Sequence, residues 1–311
     1  MRQVLVTGAA GCVGHYVIEH LLELGDVRPV VLLRDPGRLR EDLRARVTCI
    51  KGDLADPEPW LGHVVEVEAA ILVATSWGGP LAHRVNVETT HRLVEGLRRA
   101  RRLVYFSTAS VLDPDGSLDA AAPDFGTDYI RSKHAALATM PPDPRIVPVF
   151  PTVVLGGDDR HPRSAAMEGL PALRPWRGLL ARLTFEGAFH VIHAADLARL
   201  AVWLIDHPPP SGRLVVGLPA LTVREVASAV ARALGADDAP EWDITKGLEL
   251  LPRVLPWKFT AWDRHCLARR NFRYPVVDLR SLTGRLDYPT VDEILASDPR
   301  LAPQRWASAL K

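Results

Sequence analysis

Lysine is scarce in this chain, with five against 33 arginines among 311 residues. Cysteine is scarcer: Cys12, Cys49 and Cys266 lie far apart, in neither disulfide nor metal-ligand spacing. They fit a reducing compartment, so a cytoplasmic protein without a metal is expected. Neither sign of charge dominates, since 38 basic and 37 acidic side chains leave a net +1. That balance excludes the electrostatic footprint of a nucleic-acid partner. Long apolar runs are missing too, and nothing approaches the ~20 residues of a membrane span. A strand begins almost at once, so no signal peptide is expected ahead of it. There is no internal repeat and no low-complexity linker.

What is present begins with MRQVLVTGAAGCVG. A short apolar run, Val4 to Val6, leads into Thr7, Gly8, Gly11 and Gly14. Val13, Val17, Ile18, Leu21 and Leu22 then recur at helical spacing. Strand, glycine turn and helix form the context in which such glycines bind a dinucleotide. Gly8 permits the turn, Gly11 lets backbone approach a pyrophosphate, and Gly14 lets the helix pack on the strand. The free amides and positive dipole end of the helix then face the phosphates.

Strand-like and helix-like stretches alternate through the first half, the pattern of a parallel sheet wrapped by helices. Strand-like runs fall at 30–33, 47–50, 69–74 and 103–106, and helical ones at 85–100 and 128–138. A further run, 147–155, is interrupted by Pro151, which predicts a strand end or bend there. After Gly156 and Gly157 the composition turns charged and proline-rich. The stretch 189–205 reads as a strand and a helix capped near Asp196. Residues 213–217 read as a short strand. Thr222 and Glu225 form a capping box for a helix that Gly235 ends. This divides the chain into a dinucleotide-binding part, 1–157 with 189–207 returning to it, and a substrate-binding region, 158–188 with 208–311.

Tyr129-Ile-Arg-Ser-Lys133 carries the chemistry. Four residues apart on a helix, Tyr and Lys share a face. An adjacent ammonium stabilises a phenolate, which makes the phenol a usable acid or base near neutral pH. Phe106-Ser107-Thr108-Ala109-Ser110 follows a buried strand, and ligands of parallel sheets bind at the carboxyl ends of strands. Thr108 is thereby placed to hold a carbonyl oxygen beside Tyr129. The plainer readings are an exposed helical pair and an ordinary turn.

In this order, TGAAGCVG, GDL at 52–54, STASV at 107–111, YIRSK, PTVVLGG at 151–157 and VIHAADLA at 191–198 resemble the extended short-chain dehydrogenase/reductases, the NAD(P)-dependent epimerase/dehydratase family. The resemblance covers about the first 235 residues. It implies a doubly wound parallel sheet (Rossmann fold) of order 3-2-1-4-5-6 with a seventh strand near residue 190, and a smaller carboxyl-terminal substrate-binding region. It makes Thr108, Tyr129 and Lys133 the catalytic trio. Thr7, Gly8, Gly11, Cys12, Val13 and Gly14 would hold the cofactor phosphates. Asp53 and Leu54 would lie near the adenine, Ala74 near a ribose, and Pro151 and Thr152 beside the nicotinamide, with Asn86 ordering the site. A homodimer through the helices at 85–100 and 128–138 is the family's habit.

Departures from the family pattern narrow the function. Arg34 stands where NAD-preferring members carry an acid, with Arg38 close by, and arginine accommodates a 2′-phosphate. NADP(H) is therefore expected, with NAD(H) as the alternative should Asp35 take the acid's place. Ala109 and Ser110 replace the acid–base pair of the dehydratases. Phe189 and His190 stand where nucleotide-sugar enzymes place a diphosphate-binding arginine. The expected activity is hydride transfer between the nicotinamide and a small, fairly apolar carbonyl or alcohol. Alternatives are an epimerase using the same trio and a non-catalytic NADP(H)-binding or assembly protein. His193 and Asp196 are read as packing residues. Trp77-Gly78-Gly79 is either an ordinary loop or one that reaches the nicotinamide. The stretch 248–274 mixes Trp257, Phe259, Trp262 and Phe272 with Arg253, Lys258, Arg264, Arg269 and Arg270. It is read as a lid or core seal rather than a membrane contact.

Overall fold

Val4, Leu5 and Val6 are the buried middle of strand β1 (Arg2–Thr7). Strands covered on both faces read as continuous apolar runs rather than alternating ones, and this one does. The computed structural model describes residues 1–237, 239–248 and 259–301. In chain order, β1 is followed by helix α1 (Cys12–Glu23), β2 (Val27–Leu33), β3 (Thr48–Lys51) and β4 (Ala69–Leu72). Next come α2 (Thr90–Gly96), β5 (Arg102–Phe106), α3 (Asp128–Thr139), β6 (Ile146–Pro151) and β7 (Val153–Leu155). Then follow β8 (Val191–His193), α4 (Ala194–Trp203), β9 (Leu214–Val216) and α5 (Val223–Ala233).

Seven strands form one parallel sheet in the order β3-β2-β1-β4-β5-β6-β9. The predicted 3-2-1-4-5-6 order is present. One face packs on α1 and α4 through Val17, Ile18, Leu21, Leu197 and Leu200. The other packs on Trp60, Leu93, Val94, Leu97 and Ala136. Strand order reverses between β1 and β4, so their carboxyl ends, Thr7 and Leu72, flank the crevice in which ligands of such sheets bind.

The seventh strand corrects the sequence reading. It is β9, with Leu214 opposite Val149, whereas residues 191–193 pair with β7 in a separate two-stranded sheet. Pro151 explains the division: it closes β6 as predicted, and Thr152 then turns both its N–H and its hydroxyl to the carbonyl oxygen of Val216, each at 3.0 Å. The chain leaves the sheet there and offers β7 to β8. Helix α4 also differs in detail. His193 is its N-cap, Nδ1 accepting from Ala195 N, while Asp196 lies buried in the first turn. The Asp196 carboxylate accepts from the amides of Asp287 and Tyr288, a contact across the chain that sequence spacing does not reveal.

The helix predicted over 85–100 is three pieces, Leu81–His83, a π-helical turn Arg84–Thr89, and α2. Such π turns frequently mark functional positions. The capping box of Thr222 and Glu225 opens α5 as expected, and Gly235 follows it at φ +86°. In the aromatic, arginine-rich stretch, Arg253, Trp257 and Lys258 lie outside the described residues. Helix α6 (Ala261–Arg269) buries Trp262 against Ala109, Leu112 and Phe150. No helix among the described residues is long and apolar enough to cross a membrane.

Candidate active site

The glycine turn is built by close approach. Gly8 has φ +74°, and a Cβ there would lie 2.8 Å from Ala74 N. The Thr7 hydroxyl accepts from that same amide at 3.3 Å, so the turn is tied to the end of β4. A Cβ on Gly14 would sit 2.2 Å from the Gly8 carbonyl oxygen, which only a bare glycine permits. On Gly11 the nearest atom, the Gly8 carbonyl oxygen, would be 3.3 Å away, so a methyl there needs the backbone to give by a few tenths of an ångström. Helix α1 starts at Cys12 and Val13 with no side-chain cap and no acid in its first turn. The orphan amides and positive dipole end of a twelve-residue helix are thus left for an anion. The cradle fits a dinucleotide pyrophosphate. Cys12 is no nucleophile: burial pushes its thiol up to about 12, and it bonds to the Ser164 backbone.

Thr108, Tyr129 and Lys133 come together at the carboxyl end of β5. Thr108 closes the strand and caps a 3-10 turn, its Oγ accepting from Ser110 N at 3.2 Å. The Tyr129 hydroxyl lies close enough to the Thr108 side chain for the latter to favour its ionised form. Lys133 is fully buried, with Nζ donating to the carbonyl oxygen of Phe106 at 2.7 Å and lying 5.0 Å from the Tyr105 ring centre. Burial pulls its ammonium down to about 7. Burial likewise pushes Tyr129 up to about 12, with Thr108 opposing. The expected lowering of the Tyr129 pKa by Lys133 is therefore absent in this state. The ammonium is spent on a backbone carbonyl, and loss of water outweighs the other influences on the phenol. The buried hydroxyl of Ser107, next to Thr108, has no hydrogen-bond partner among the described residues, which suits a site completed by a polar ligand.

Asn86 joins this trio to the glycine turn. It is buried in the π turn and uses its whole amide. Oδ1 accepts from Thr75 Oγ (3.0 Å) and Ser76 N (2.8 Å), while Nδ2 donates to Ser76 O (2.8 Å) and Ser132 Oγ (2.9 Å). Ser132 in turn donates to Tyr129 O at 3.0 Å. The loop after β4 is thereby fixed to α3, and Asp128 adds a bond from Gly79 N at 3.1 Å. In this loop Trp77 lies over Tyr129, with ring centres 4.7 Å apart and planes at 33°. Sequence reasoning missed Ser132 and Asp128, although both sit in or beside the Tyr-x-x-x-Lys motif.

The remaining candidates ring the crevice. Arg34 and Arg38 follow β2, are exposed, and make no ion pair among the described residues. Asp35 Oδ1 accepts from Gly37 N at 2.9 Å and caps the turn Pro36–Arg38. Asp53 is exposed past β3 and caps Ala55 N, while Leu54 offers its carbonyl to Thr89. Their motif owes its glycine to packing, because a Cβ on Gly52 would lie 2.3 Å from Trp60. Pro151 is buried at the end of β6, and Thr152 is half-buried beside it. His190 is locked into the scaffold. Nδ1 meets Leu218 O at 2.7 Å and Nε2 accepts from Tyr274 N at 2.9 Å, so neither nitrogen is available to a ligand.

A family model described as NAD(P)H-binding matches residues 8–140. Among curated proteins none matches in sequence. Solved structures do match in shape. The protein gox2253 superposes with a TM-score of 0.74 at 17% identity, over 96% of this chain and 97% of its own. The Bordetella bronchiseptica enzyme WbmH, solved with NAD+, gives 0.67 at 17% identity over 96% and 97%. A nucleoside-diphosphate-sugar epimerase from Pseudomonas aeruginosa gives 0.68 at 17% identity over 95% of each chain. Residues 8–140 therefore match an NAD(P)H-binding family, and the whole chain shares the fold of these solved structures.

Proposed function

We propose that this protein is an NAD(P)-dependent oxidoreductase that reduces a fairly apolar carbonyl compound, with NADP(H) as its preferred cofactor. The observation that carries the reading is the meeting of Thr108, Tyr129 and Lys133 beside an uncapped, acid-free helix terminus. A bound reduced nicotinamide supplies the hydride, which adds to the carbonyl carbon as the C=O π bond breaks. Thr108 and Tyr129 hold the oxygen. Tyr129 gives it the phenolic proton and is reprotonated from water. A phenol held near 12 carries its proton at neutral pH, the state from which an acid donates. Exposed Arg34 and Arg38 support a 2′-phosphate.

Nucleotide-sugar epimerisation is the rival reading, because a related epimerase shares the fold. The locked nitrogens of His190 weigh against a diphosphate there. The test is Tyr129→Phe, followed by absorbance of reduced nicotinamide with a carbonyl panel and by calorimetric NADPH titration. Turnover should fall by about 10²–10⁴ while NADPH affinity is retained. Retained turnover would remove Tyr129 from its role.

A further inference from the structure

Trp77 is 71% exposed, yet its loop is among the most firmly tethered parts of the site. Asn86 fixes Thr75 and Ser76, Ser76 Oγ donates to Gly78 O at 3.2 Å, and Asp128 holds Gly79 N at φ +77°. A single exposed aromatic is ordinary on a protein surface. This one lies against the phenol that donates the proton. Folding does not account for so much open indole, but recognition does: a rigid aromatic loses little entropy when it meets a planar group.

The surroundings define what that group is. The loop Thr75–Pro80 carries no charge. Tyr129 also packs against an apolar cluster of Ala109, Leu112, Ile130, Phe150 and Trp262. Because the indole lies 4.7 Å from the Tyr129 ring, a carbonyl compound whose oxygen meets the phenol has its substituent within reach of Trp77. We infer that Trp77 is a specificity-determining residue and that the substrate is an aromatic or conjugated carbonyl compound whose planar group stacks on the indole. The inference rests on the reductase reading and names its substrate class.

The experiment compares benzaldehyde with cyclohexanecarbaldehyde, which match in size and differ in planarity, using NADPH and the full chain. Trp77→Leu removes the aromatic plane and Trp77→Phe keeps one. NADPH titration of each variant controls for folding. The benzaldehyde-to-cyclohexanecarbaldehyde ratio of kcat/KM should fall about 3- to 10-fold in Trp77→Leu and stay near wild type in Trp77→Phe. An unchanged ratio in Trp77→Leu overturns the inference. If the wild type binds NADPH but reduces neither aldehyde, the reductase reading fails separately. Titration of the protein–NADP+ complex with benzamide then decides on Trp77: weakened binding in Trp77→Leu alone supports it, and no wild-type binding overturns it.

Discussion

Lys133 donates to the carbonyl oxygen of Phe106 at 2.7 Å while lying wholly out of water, one helical turn from Tyr129. An ammonium in that position costs stability whenever it must be charged. The folded chain holds it near 7, against 10.5 when exposed. Between those values the unfolded chain binds more protons, so stability rises with pH and the penalty is nearly complete at pH 7. Lys133→Met should therefore be more stabilising at pH 7 than at pH 9.5, by about 3 kcal/mol, while abolishing turnover. Urea unfolding at the two pH values checks this. A difference from wild type that is independent of pH would show that Lys133 pays no burial penalty.

Asn86 presents the opposite case, a buried polar group with every bond made. Asn86→Ala removes the four bonds to Thr75, Ser76 and Ser132 and should cost about 2–4 kcal/mol. It should also free the Trp77 loop and lower kcat/KM for carbonyl substrates. Asn86→Asp is expected to fare no better, because a carboxylate cannot donate to Ser76 O and Ser132 Oγ. Urea midpoints together with steady-state kinetics test both. An alanine variant of unchanged stability contradicts the four-bond account.

Local structure was legible in the sequence where neighbours along the chain carry it. Gly8, Gly14 and the Tyr129–Lys133 pair act through turns and helical spacing, and the structure places them as that spacing requires. Pro151 announced the end of β6 for the same reason. What stayed hidden depends on distant partners. β9 and the 191–193 stretch are equally short runs, and only pairing with Val149 selects β9 as the edge strand. Lys133 was expected to act on Tyr129, but the exclusion of water dominates both pKa values, with Thr108 opposing it at Tyr129. Asn86 carried no local sign of its bond to Ser132.

Cofactor choice turns on the residues after β2. Asp35 turns Oδ1 to Gly37 N, whereas Arg34 is exposed. Arg34→Asp should weaken NADPH binding by about 10- to 100-fold, the worth of one charge-assisted contact to phosphate. NADH should bind as well as before or better. Calorimetric titration with both nucleotides measures the ratio, and an unchanged ratio discards the 2′-phosphate assignment.

His193 makes the fold sensitive to acid. Its Nδ1 accepts from Ala195 N at 3.1 Å, its ring stacks on Tyr288 at 3.6 Å, and it is fully buried. Burial lowers its pKa to about 4, with Asp158 opposing, His161 reinforcing and Asp287 opposing. The unfolded histidine titrates near 6.5, so its contribution is fully present above that pH and is lost as pH falls toward 4. At pH 5 the loss amounts to about 2 kcal/mol. His161 runs the other way. Burial lowers it, but its bonds to Glu19 and Asp158 prevail and raise its pKa, so its contribution is present in acid and lost as pH rises through the raised value. His193→Asn keeps a helix cap and removes the titrating ring. Urea unfolding at pH 7 and pH 5 should therefore show a smaller acid loss in the variant than in wild type. Equal losses would assign the acid sensitivity to other groups, His15 and His190 first, since burial lowers both.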